Sequence, residues 1–331
     1  MDALSETLKV LRLTSGIFLE ADFSAPWCVD SAPGEDDISH FLPDAEHVAI
    51  FHLLVEGACR TRLADGGEVL DLAAGDLLMF PHSDTHVLGS DLHLNPTHAA
   101  SLVRPDAASS GLMRIRHGGS GPRTRFICGY MACDKRLCRP LLSGLPRMLH
   151  VALGDDPATR WMVSALQHGA QETHAPQSGR EAVMGRLAEL LFVEALRCYI
   201  RQLPEEQRGW LAGLRDPYVG KALALMHARP DQDWQVDSLA SGVGLSRSAL
   251  ADRFSALIGE PPMQYLARWR MALAAQYLAR TNDAVARIGE RVGYESEAAF
   301  NRAFKREFGA PPAAWRRGAR LARATAASKR E

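Results

Sequence analysis

The last third of the chain contains one pattern twice, and this repeat restricts the possible fold more than any other feature of the sequence. Six positions of the first copy recur fifty residues later: Ser246, Leu250, Phe254, Gly259, Pro261 and Pro262 return as Ser296, Phe300, Phe304, Gly309, Pro311 and Pro312. Upstream, at an offset of 49, Val236, Leu239, Val243 and Gly244 return as Val285, Ile288, Val292 and Gly293. The one-residue step falls in a turn, where an insertion is tolerated best. The chain therefore carries two copies of one supersecondary unit.

The first copy has the pattern of a helix-turn-helix. Val236–Gly242 predicts a short helix, and Gly244 lies in the turn that follows it. Ser246 can cap the next helix, because its hydroxyl can accept a hydrogen bond from a free amide of the first turn. That helix is predicted to end near Ile258.

The second copy has the same organisation, and a long helix joins the two. Val285–Val292 and Glu297–Phe308 are its predicted helices, and Met263–Ala279 is the predicted connecting helix. A rigid connecting helix fixes the distance between the second helices of the two copies. Two such helices on one face can enter successive major grooves of DNA, which lie roughly 34 Å apart.

The distribution of charge agrees with a nucleic-acid partner for one end of the chain. The whole chain of 331 residues has a formal charge of -1. Residues 215–331 contain 19 Lys+Arg and 12 Asp+Glu, a net of +7, and the remainder has a net of -8. Such asymmetry suggests that an anionic partner binds the basic end.

The first 155 residues predict a β-rich domain. Five apolar runs separated by turn residues predict strands, and they are Val48–Val55, Cys59–Leu63, Val69–Leu72, Leu77–Phe80 and Thr124–Met131. Many short strands with regular turns indicate a β-barrel or a double-sheet roll. The polar stretch Ser90–Ser110 predicts a loop.

Residues 156–214 change to helical periodicity. The segment Leu187–Ile200 is apolar around most of its circumference, which is typical of a buried helix or of a subunit interface. We therefore expect three regions: a β-rich domain over 1–155, a helical dimerisation or linker region over 156–214, and a DNA-binding domain over 215–331.

The remaining features predict a soluble, cytoplasmic protein. Apolar runs such as Leu187–Ile200 are interrupted by charged residues, so no membrane-spanning segment is expected. The first residues lack the basic start and apolar stretch of a secretory signal. Six cysteines in a chain of this length do not form a disulfide scaffold.

The repeat carries a resemblance to a known family. The segments that carry it are WQVDSLA from Trp234, GLSRS from Gly244, GEPPMQYL from Gly259, RWRM from Arg268, IGERVGYESE from Ile288, FNRAFK from Phe300 and FGAPP from Phe308. Together they resemble the DNA-binding domain of the AraC/XylS transcription regulators over residues 217–317. This resemblance implies double-stranded promoter DNA as a partner, and contact with RNA polymerase.

The first region resembles the cupin-type sensor of one AraC subgroup. The segments concerned are FHLLVEG from Phe51, LAAGDLLMFPHSDTH from Leu72 and CGY from Cys128. The implied fold class is α+β with two domains: an N-terminal cupin-like β-barrel followed by helices, and a C-terminal all-α domain with two helix-turn-helix units. Cupin enzymes carry a denser ligand cluster than His52 and Glu56 provide. We therefore expect a regulator and no enzyme, the alternative being a cupin metalloenzyme fused to a DNA-binding domain.

The family pattern also implies which residues face DNA. Base-facing positions of the first copy are Ser248, Ala251 and Asp252, and the offset of fifty carries them to Ala298, Asn301 and Arg302. Arg302 can bind guanine in bidentate fashion, and Asn301 can pair with adenine. Asp252 can accept from cytosine or pair with Arg247 or Arg253. With the flanking positions, the candidate DNA-facing residues are Arg247, Ser248, Ala251, Asp252, Glu297, Ala298, Asn301, Arg302, Lys305 and Arg306, and Arg316 and Arg317 are further phosphate candidates.

Three side chains of the first region are candidates for a metal site. His52 lies in an alternating strand, His86 follows a turn, and Cys128 lies on a later strand. Inside a barrel they could converge, and two imidazoles with a thiolate would suit zinc or Cu(I). The alternative is a satisfied core histidine, a turn histidine and a small buried cysteine.

Two other kinds of signal are compatible with the same region. Cys128 could respond to an oxidant by forming a sulfenic acid, or a disulfide with Cys28 or Cys133. A small organic effector in an apolar barrel is equally compatible. In each case we expect a homodimer, with Leu187–Ile200 as the candidate interface, in which the signal changes the dimer geometry or frees the DNA-binding half.

Overall fold

The computed structural model describes six stretches of the chain: residues 2–11, 13–31, 47–103, 113–153, 157–171 and 179–318. Contacts divide the chain into two compact units. We call them the sheet unit, formed by Leu13–Cys133 and Leu145–Gln202, and the helical unit, formed by Met1–Arg12, Asp134–Gly144 and Leu203–Glu331. The α+β class expected from the sequence is confirmed.

The sheet unit contains two β-sheets and three described helices. Its strands are β1 (Thr14–Ser24), β2 (Cys28–Ser31), β3 (His47–Glu56), β4 (Ala58–Leu63), β5 (Gly66–Ala73), β6 (Asp76–Phe80), β7 (His86–Gly89), β8 (Thr97–His98), β9 (Met113–Gly118), β10 (Arg123–Cys133) and β11 (Leu149–Ala152). Its helices are α2 (Ala99–Leu102), α4 (Pro157–Gln171) and α5 (Arg180–Gln202). All five predicted strands are present, with ends shifted by a few residues at most.

The strands form a double-sheet roll, and the sheets are not closed into one barrel. One sheet has the order β11-β6-β3-β10-β1-β9, and the other has the order β5-β4-β7-β2-β8. The interval predicted as a loop contains β8 and α2, and its residues 104–110 lie outside the described residues. The sequence did not reveal these elements because each is shorter than five residues.

The core of the sheet unit is apolar and aromatic. Trp27, Phe23 and Phe126 pack together, with ring centroids 4.4 to 6.2 Å apart. Residues 48–54 of β3 are all buried, which explains why this strand reads as a continuous apolar run. β3 has a neighbour on both edges, and α5 packs against β1 of the same sheet.

The helical unit confirms both predicted helix-turn-helix units. Its described helices are α1 (Ala3–Val10), α3 (Lys135–Leu142), α6 (Trp210–Arg215), α7 (Pro217–Ala228), α8 (Val236–Val243), α9 (Arg247–Ile258), α10 (Pro262–Arg280), α11 (Val285–Arg291) and α12 (Glu297–Phe308). Ser246 and Ser296 cap α9 and α12 by accepting from the amides of Ala249 and Ala299. Gly244 adopts a φ of 83° in the first turn, a conformation that favours glycine.

The two copies bury equivalent side chains. Leu239, Leu250 and Phe254 of the first copy are fully buried, and so are Ile288, Phe300 and Phe304 of the second. Phe300 and Phe304 lie in ring contact, with centroids 5.7 Å apart. The repeat in the sequence therefore corresponds to the same side-chain positions being buried in both copies.

Two segments of the predicted sensor range pack in the helical unit. α1 contacts α7, and α3 contacts α6 and α10. Leu137, Cys138 and Leu141 are the buried side chains of α3 that hold it there. Because the sequence-based ranges follow the order of the chain, they could not show that two short apolar helices pack with a region beyond residue 203.

A chain of hydrogen bonds holds α1 in place. Trp210 Nε1 donates to the hydroxyl of Tyr265 (2.9 Å), which lies 2.8 Å from His227 Nε2. His227 Nδ1 lies 2.8 Å from Thr7 Oγ1, which donates to the carbonyl of Ala3. All groups are satisfied if Tyr265 donates to Nε2 and Nδ1–H donates to Thr7. Burial lowers the pKa of His227 to about 3, so the ring is neutral at pH 7.

No helix in the described part of the chain is long and apolar enough to cross a membrane.

Candidate nucleic-acid interface and sensor core

The exposed face of α9 carries the first set of predicted DNA contacts. Ser248 and Asp252 are exposed, and Ala251 is half-buried beside them. They lie three and four residues apart, so they share one side of the helix. Leu250 and Phe254, which are fully buried, fix the opposite side against the core. The helix therefore presents two small side chains and one carboxylate.

The same face of α12 presents longer polar groups. Ala298 and Arg302 are exposed, Asn301 is half-buried, and Lys305 is exposed one turn further on. Glu297 is exposed in the first turn of this helix. The face is equivalent to that of α9, because both helices begin at a capping serine and bury large apolar side chains at the same positions.

Ion pairs of Arg247 and Arg253 with other carboxylates leave Asp252 on the exposed face. Arg247 pairs with Asp237 at 3.4 Å, and Arg253 Nε donates to Asp216 at 2.7 Å. The alternative in which Asp252 pairs with Arg247 or Arg253 is therefore not the arrangement observed. Asp252 carries an acceptor that a cytosine amino group could use.

The basic side chains at the end of the second copy fall into two groups. Lys305, Arg306 and Arg317 are exposed, as a phosphate contact requires. Arg316 instead donates to the carbonyl of Asp283 at 2.5 Å, which ties it to the start of the second copy. The basic tail beyond residue 318 lies outside the described residues.

The sheet unit brings His52, His86 and Cys128 together. Cys128 of β10 pairs in register with His52 of β3, and His86 reaches them from β7 in the other sheet. Cys128 Sγ lies 3.0 Å from His52 Nδ1, and His52 Nε2 lies 2.8 Å from His86 Nε2. Phe80 stacks on His86 with ring centroids 3.5 Å apart. The three side chains form one buried row between the sheets.

One assignment of protons satisfies every member of this row. His86 Nδ1 donates to the carbonyl of Asp84 (2.9 Å), so its Nε2 accepts from His52. His52 Nδ1 then accepts from the thiol of Cys128. Burial lowers the pKa of His52 well below its ordinary value and that of His86 to about 4, and it raises the pKa of Cys128. The row is therefore neutral at pH 7.

This geometry does not place three ligands around one point. The ring of His52 lies between the other two side chains, and each of its nitrogens faces a different partner. Within the described residues, no group of three or more His, Cys, Asp or Glu side chains is arranged to hold a metal ion. The arrangement matches the alternative of satisfied core histidines more closely than a zinc or copper centre held by all three.

The cysteines also differ from the predicted redox pairing. Cys28 and Cys128 are free and buried, whereas Cys133 and Cys138 are disulfide-bonded. Burial raises the pKa of Cys28, Cys128 and Cys59, the last to about 12. A protonated thiol is a weak nucleophile, so these sites react slowly while they stay buried. The redox cysteines predicted from the sequence were Cys28, Cys128 and Cys133, and Cys138 was not among them.

Two family models match the chain. A model described as "Cupin" matches residues 2–201, and a model described as "Helix-turn-helix domain" matches residues 239–318. The two matches together span most of the chain, and they cover the sheet unit and both recognition helices, α9 and α12.

Curated relatives align along nearly the whole chain. An AraC-like transcription regulator of Streptomyces antibioticus is 32% identical over 319 residues, which are 96% of this chain and 99% of the relative. The HTH-type transcriptional regulator AlkR of Acinetobacter baylyi is 30% identical over 323 residues, covering 96% and 99%. Among solved structures, an AraC-type regulator from Chromobacterium violaceum is 28% identical and covers 31% of this chain and 92% of its own, with a TM-score of 0.30.

These matches define the class of the protein. The chain is a DNA-binding transcriptional regulator that carries a cupin domain. It belongs to the AraC family, as the doubled helix-turn-helix and the sheet unit each indicated.

Proposed function

We propose that this regulator reads a specific promoter sequence with α9 and α12 and responds to a signal in the sheet unit. The observation that carries the proposal is the equivalence of the two recognition helices. Each begins at a capping serine, and each presents an exposed face opposite buried side chains. Two such helices joined by α10 suit successive major grooves of one duplex.

The chemistry of the two faces supports unequal shares of the specificity. α9 offers Ser248, Ala251 and Asp252, which reach few base edges. α12 offers Asn301 and Arg302, whose side chains make the bidentate contacts with adenine and guanine. Arg247, Lys305 and Arg306 would contact phosphates, which position the protein without specifying a base. We therefore assign most base discrimination to α12.

The signal is best explained by a small organic molecule in the sheet unit. The row of His52, His86 and Cys128 is neutral and internally satisfied, which supports neither a resident metal nor a reactive thiolate. Trp27 is 1% exposed, and its indole nitrogen has no hydrogen-bond partner in the described part of the chain. A molecule that accepts a hydrogen bond from this N–H and disrupts the hydrogen bonds of the row would change the packing of both sheets.

The exposed face of α5 supports a homodimer. Val183 and Leu190 lie seven residues apart on this helix and are 59% and 48% exposed. Trp161 of α4, the helix that packs with α5, is 54% exposed. Large apolar side chains in this density mark a protein interface more often than a free surface. A dimer would present two pairs of recognition helices to a promoter and to RNA polymerase.

The test is selection of bound DNA from a random duplex pool with the full chain. We expect an enriched motif with two conserved segments one helical turn apart. Binding without any enriched motif would contradict sequence-specific regulation, and no binding at low salt would contradict the DNA-binding proposal altogether. A metal assay on the same preparation checks the alternative of a cupin metalloenzyme, which requires bound metal and turnover.

A further inference from the structure

The helical unit contains a cleft of about 460 Å³ between α3, α10 and the end of α12. This volume lies in the range of sites that hold small molecules. The residues lining it are Arg136, Arg139, Pro140, Ser143, Ile258, Tyr265, Arg268, Trp269, Ala272, Glu307 and Phe308. None of them belongs to the sheet unit or to the exposed faces that read DNA.

The lining is apolar on one side and basic on the other. Trp269, Phe308 and Ile258 provide an aromatic and aliphatic wall. Three arginines and only one carboxylate, Glu307, provide the charges. A ligand that satisfies this lining therefore has an apolar body and a negative charge.

The three arginines are held differently. Arg136 stacks over the ring of Trp315, 4.4 Å from its centroid. Arg268 forms an ion pair with the buried carboxylate of Glu260. Arg139 is exposed on α3 and lines the cleft. Its charge helps to lower the pKa of Glu260, but it makes no ion pair within 4 Å in the described part of the chain. Arg139 is thus the arginine most available to an incoming anion.

A buried donor in the same lining lacks an acceptor. Trp269 is 3% exposed and stacks on His227 with ring centroids 4.1 Å apart. Its indole nitrogen has no hydrogen-bond partner within the described residues. Such a group costs free energy in a folded protein unless something occupies the site and accepts from it.

We propose that this cleft binds a small amphipathic carboxylate. The carboxylate pairs with Arg139 and accepts from the indole N–H of Trp269, and the apolar body packs against Trp269 and Phe308. A guanidinium matches the planar carboxylate geometry, and an aromatic wall favours a flat apolar body. The site lies outside the sheet unit, so it is a second ligand site beyond the proposed sensor function.

A ligand bound in the cleft affects DNA binding through α12. Glu307 and Phe308 form the last turn of this recognition helix and also line the cleft. α3, which supplies Arg139, is joined directly to β10 of the sheet unit through Asp134. A ligand that contacts both helices stabilises one position of α12. This consequence for DNA rests on the proposed function, whereas ligand binding itself does not.

Binding is tested by calorimetric titration of the full chain with phenylacetate, 3-phenylpropionate and octanoate. Each acid is compared with its amide, which keeps the shape and removes the charge, and with acetate, which keeps the charge and removes the apolar body. We expect at least one acid to bind at least tenfold more tightly than both its amide and acetate. If no acid exceeds its amide, or if acetate binds equally well, the proposal is wrong.

The site is located with Arg139→Gln, which should weaken binding of that acid at least tenfold. Arg60→Gln, an exposed arginine of β4, is the matched control and should bind the acid as the wild type does. A second variant, Ala272→Phe, fills the cleft and should abolish binding while circular dichroism stays unchanged. Unchanged affinity in Arg139→Gln would overturn the assignment. Motif selection with the same proteins is scored separately, so loss of DNA recognition with intact acid binding contradicts only the proposed function.

Discussion

Single residues account for the difference between the two recognition helices. Both helices have the same caps and the same buried positions, yet α9 presents Ser248 and Asp252 where α12 presents Ala298 and Arg302. A short hydroxyl or a carboxylate contacts one group on a base edge, whereas a guanidinium contacts two on guanine. The shape of the fold is thus duplicated, and under the proposed function the chemistry that distinguishes bases is concentrated in α12.

Substitution of Arg302 tests this assignment. Arg302→Ala should remove preference for one base pair of the motif, at a cost of about 1–3 kcal/mol in binding free energy, and should leave other positions unchanged. Motif selection at one fixed salt concentration measures the change. Arg60→Ala removes the same charge from β4 and should keep the wild-type motif. An unchanged motif in Arg302→Ala would show that another residue reads that base.

Buried histidines predict how stability depends on pH. Burial lowers the pKa values of His52, His86 (to about 4) and His227 (to about 3) below the 6.5 of an unfolded chain. Below pH 6.5 the unfolded state therefore binds more protons, and the free energy of unfolding falls as the pH drops towards 4. Each histidine lowers the folded-to-unfolded ratio about tenfold per pH unit in this window.

Urea unfolding between pH 7 and 4 measures this slope. His86→Gln cannot be protonated, so its slope should be smaller than that of the wild type by up to one proton. His93→Gln removes an exposed histidine and should keep the wild-type slope. Equal slopes in all three proteins would mean that His86 is not neutral in the folded state.

At the scale of elements, the sequence predicted the helices whose ends are set by residues close to them along the chain. The repeated capping serines, glycines and apolar positions were sufficient to predict α8 to α12, because the ends of those helices are determined by residues within each copy. The places of α1 and α3 were not predicted, because their partners lie far along the chain. Thr7 of α1 bonds to His227, 220 residues away, and α3 packs against α6 and α10. The row of His52, His86 and Cys128 was predicted as a cluster, but its hydrogen bonds depend on the register between strands.

The hydrogen bond between Thr7 and His227 predicts that α1 stabilises the helical unit. Thr7→Val keeps the shape of the side chain but leaves the buried His227 Nδ1–H without an acceptor, at a cost of about 1–3 kcal/mol. Hydrogen exchange should become faster in α7, the helix that carries His227. Ser5→Ala, on the exposed side of α1, should change exchange little. Unchanged exchange in Thr7→Val would show that α1 contributes nothing to this unit.

The exposed apolar face of α5 predicts that a charged substitution there prevents formation of the proposed homodimer. Leu190→Glu should convert the proposed homodimer to a monomer, because burying a carboxylate without a partner costs free energy. The side chain is exposed within one chain, so the fold of the monomer should survive. Light scattering with size-exclusion chromatography measures the mass. Val69→Glu changes an equally exposed apolar residue of β5 and should remain dimeric. A monomeric wild type, or a dimeric Leu190→Glu, would exclude this interface.

At the scale of the whole molecule, charge is separated along the chain. The total of -1 is the sum of +7 over residues 215–331 and -8 over the rest. The acidic remainder of the chain does not attract the DNA backbone, so we expect non-specific affinity for DNA to depend on the basic region alone. The total charge of the chain therefore says little about its affinity for DNA.

This separation predicts a specific dependence of DNA affinity on salt. The logarithm of the affinity of the full chain for a duplex of unrelated sequence should fall linearly with the logarithm of the salt concentration. The slope is set by the number of phosphates contacted. Lys305→Gln and Arg306→Gln should each reduce that slope by about one, because each removes one phosphate contact. Arg60→Gln removes an equal charge from the sheet unit and should leave the slope unchanged. Fluorescence anisotropy between about 50 and 200 mM salt distinguishes these outcomes. If all three variants shifted the slope equally, the affinity would depend on the net charge of the chain and not on the basic side chains of α12.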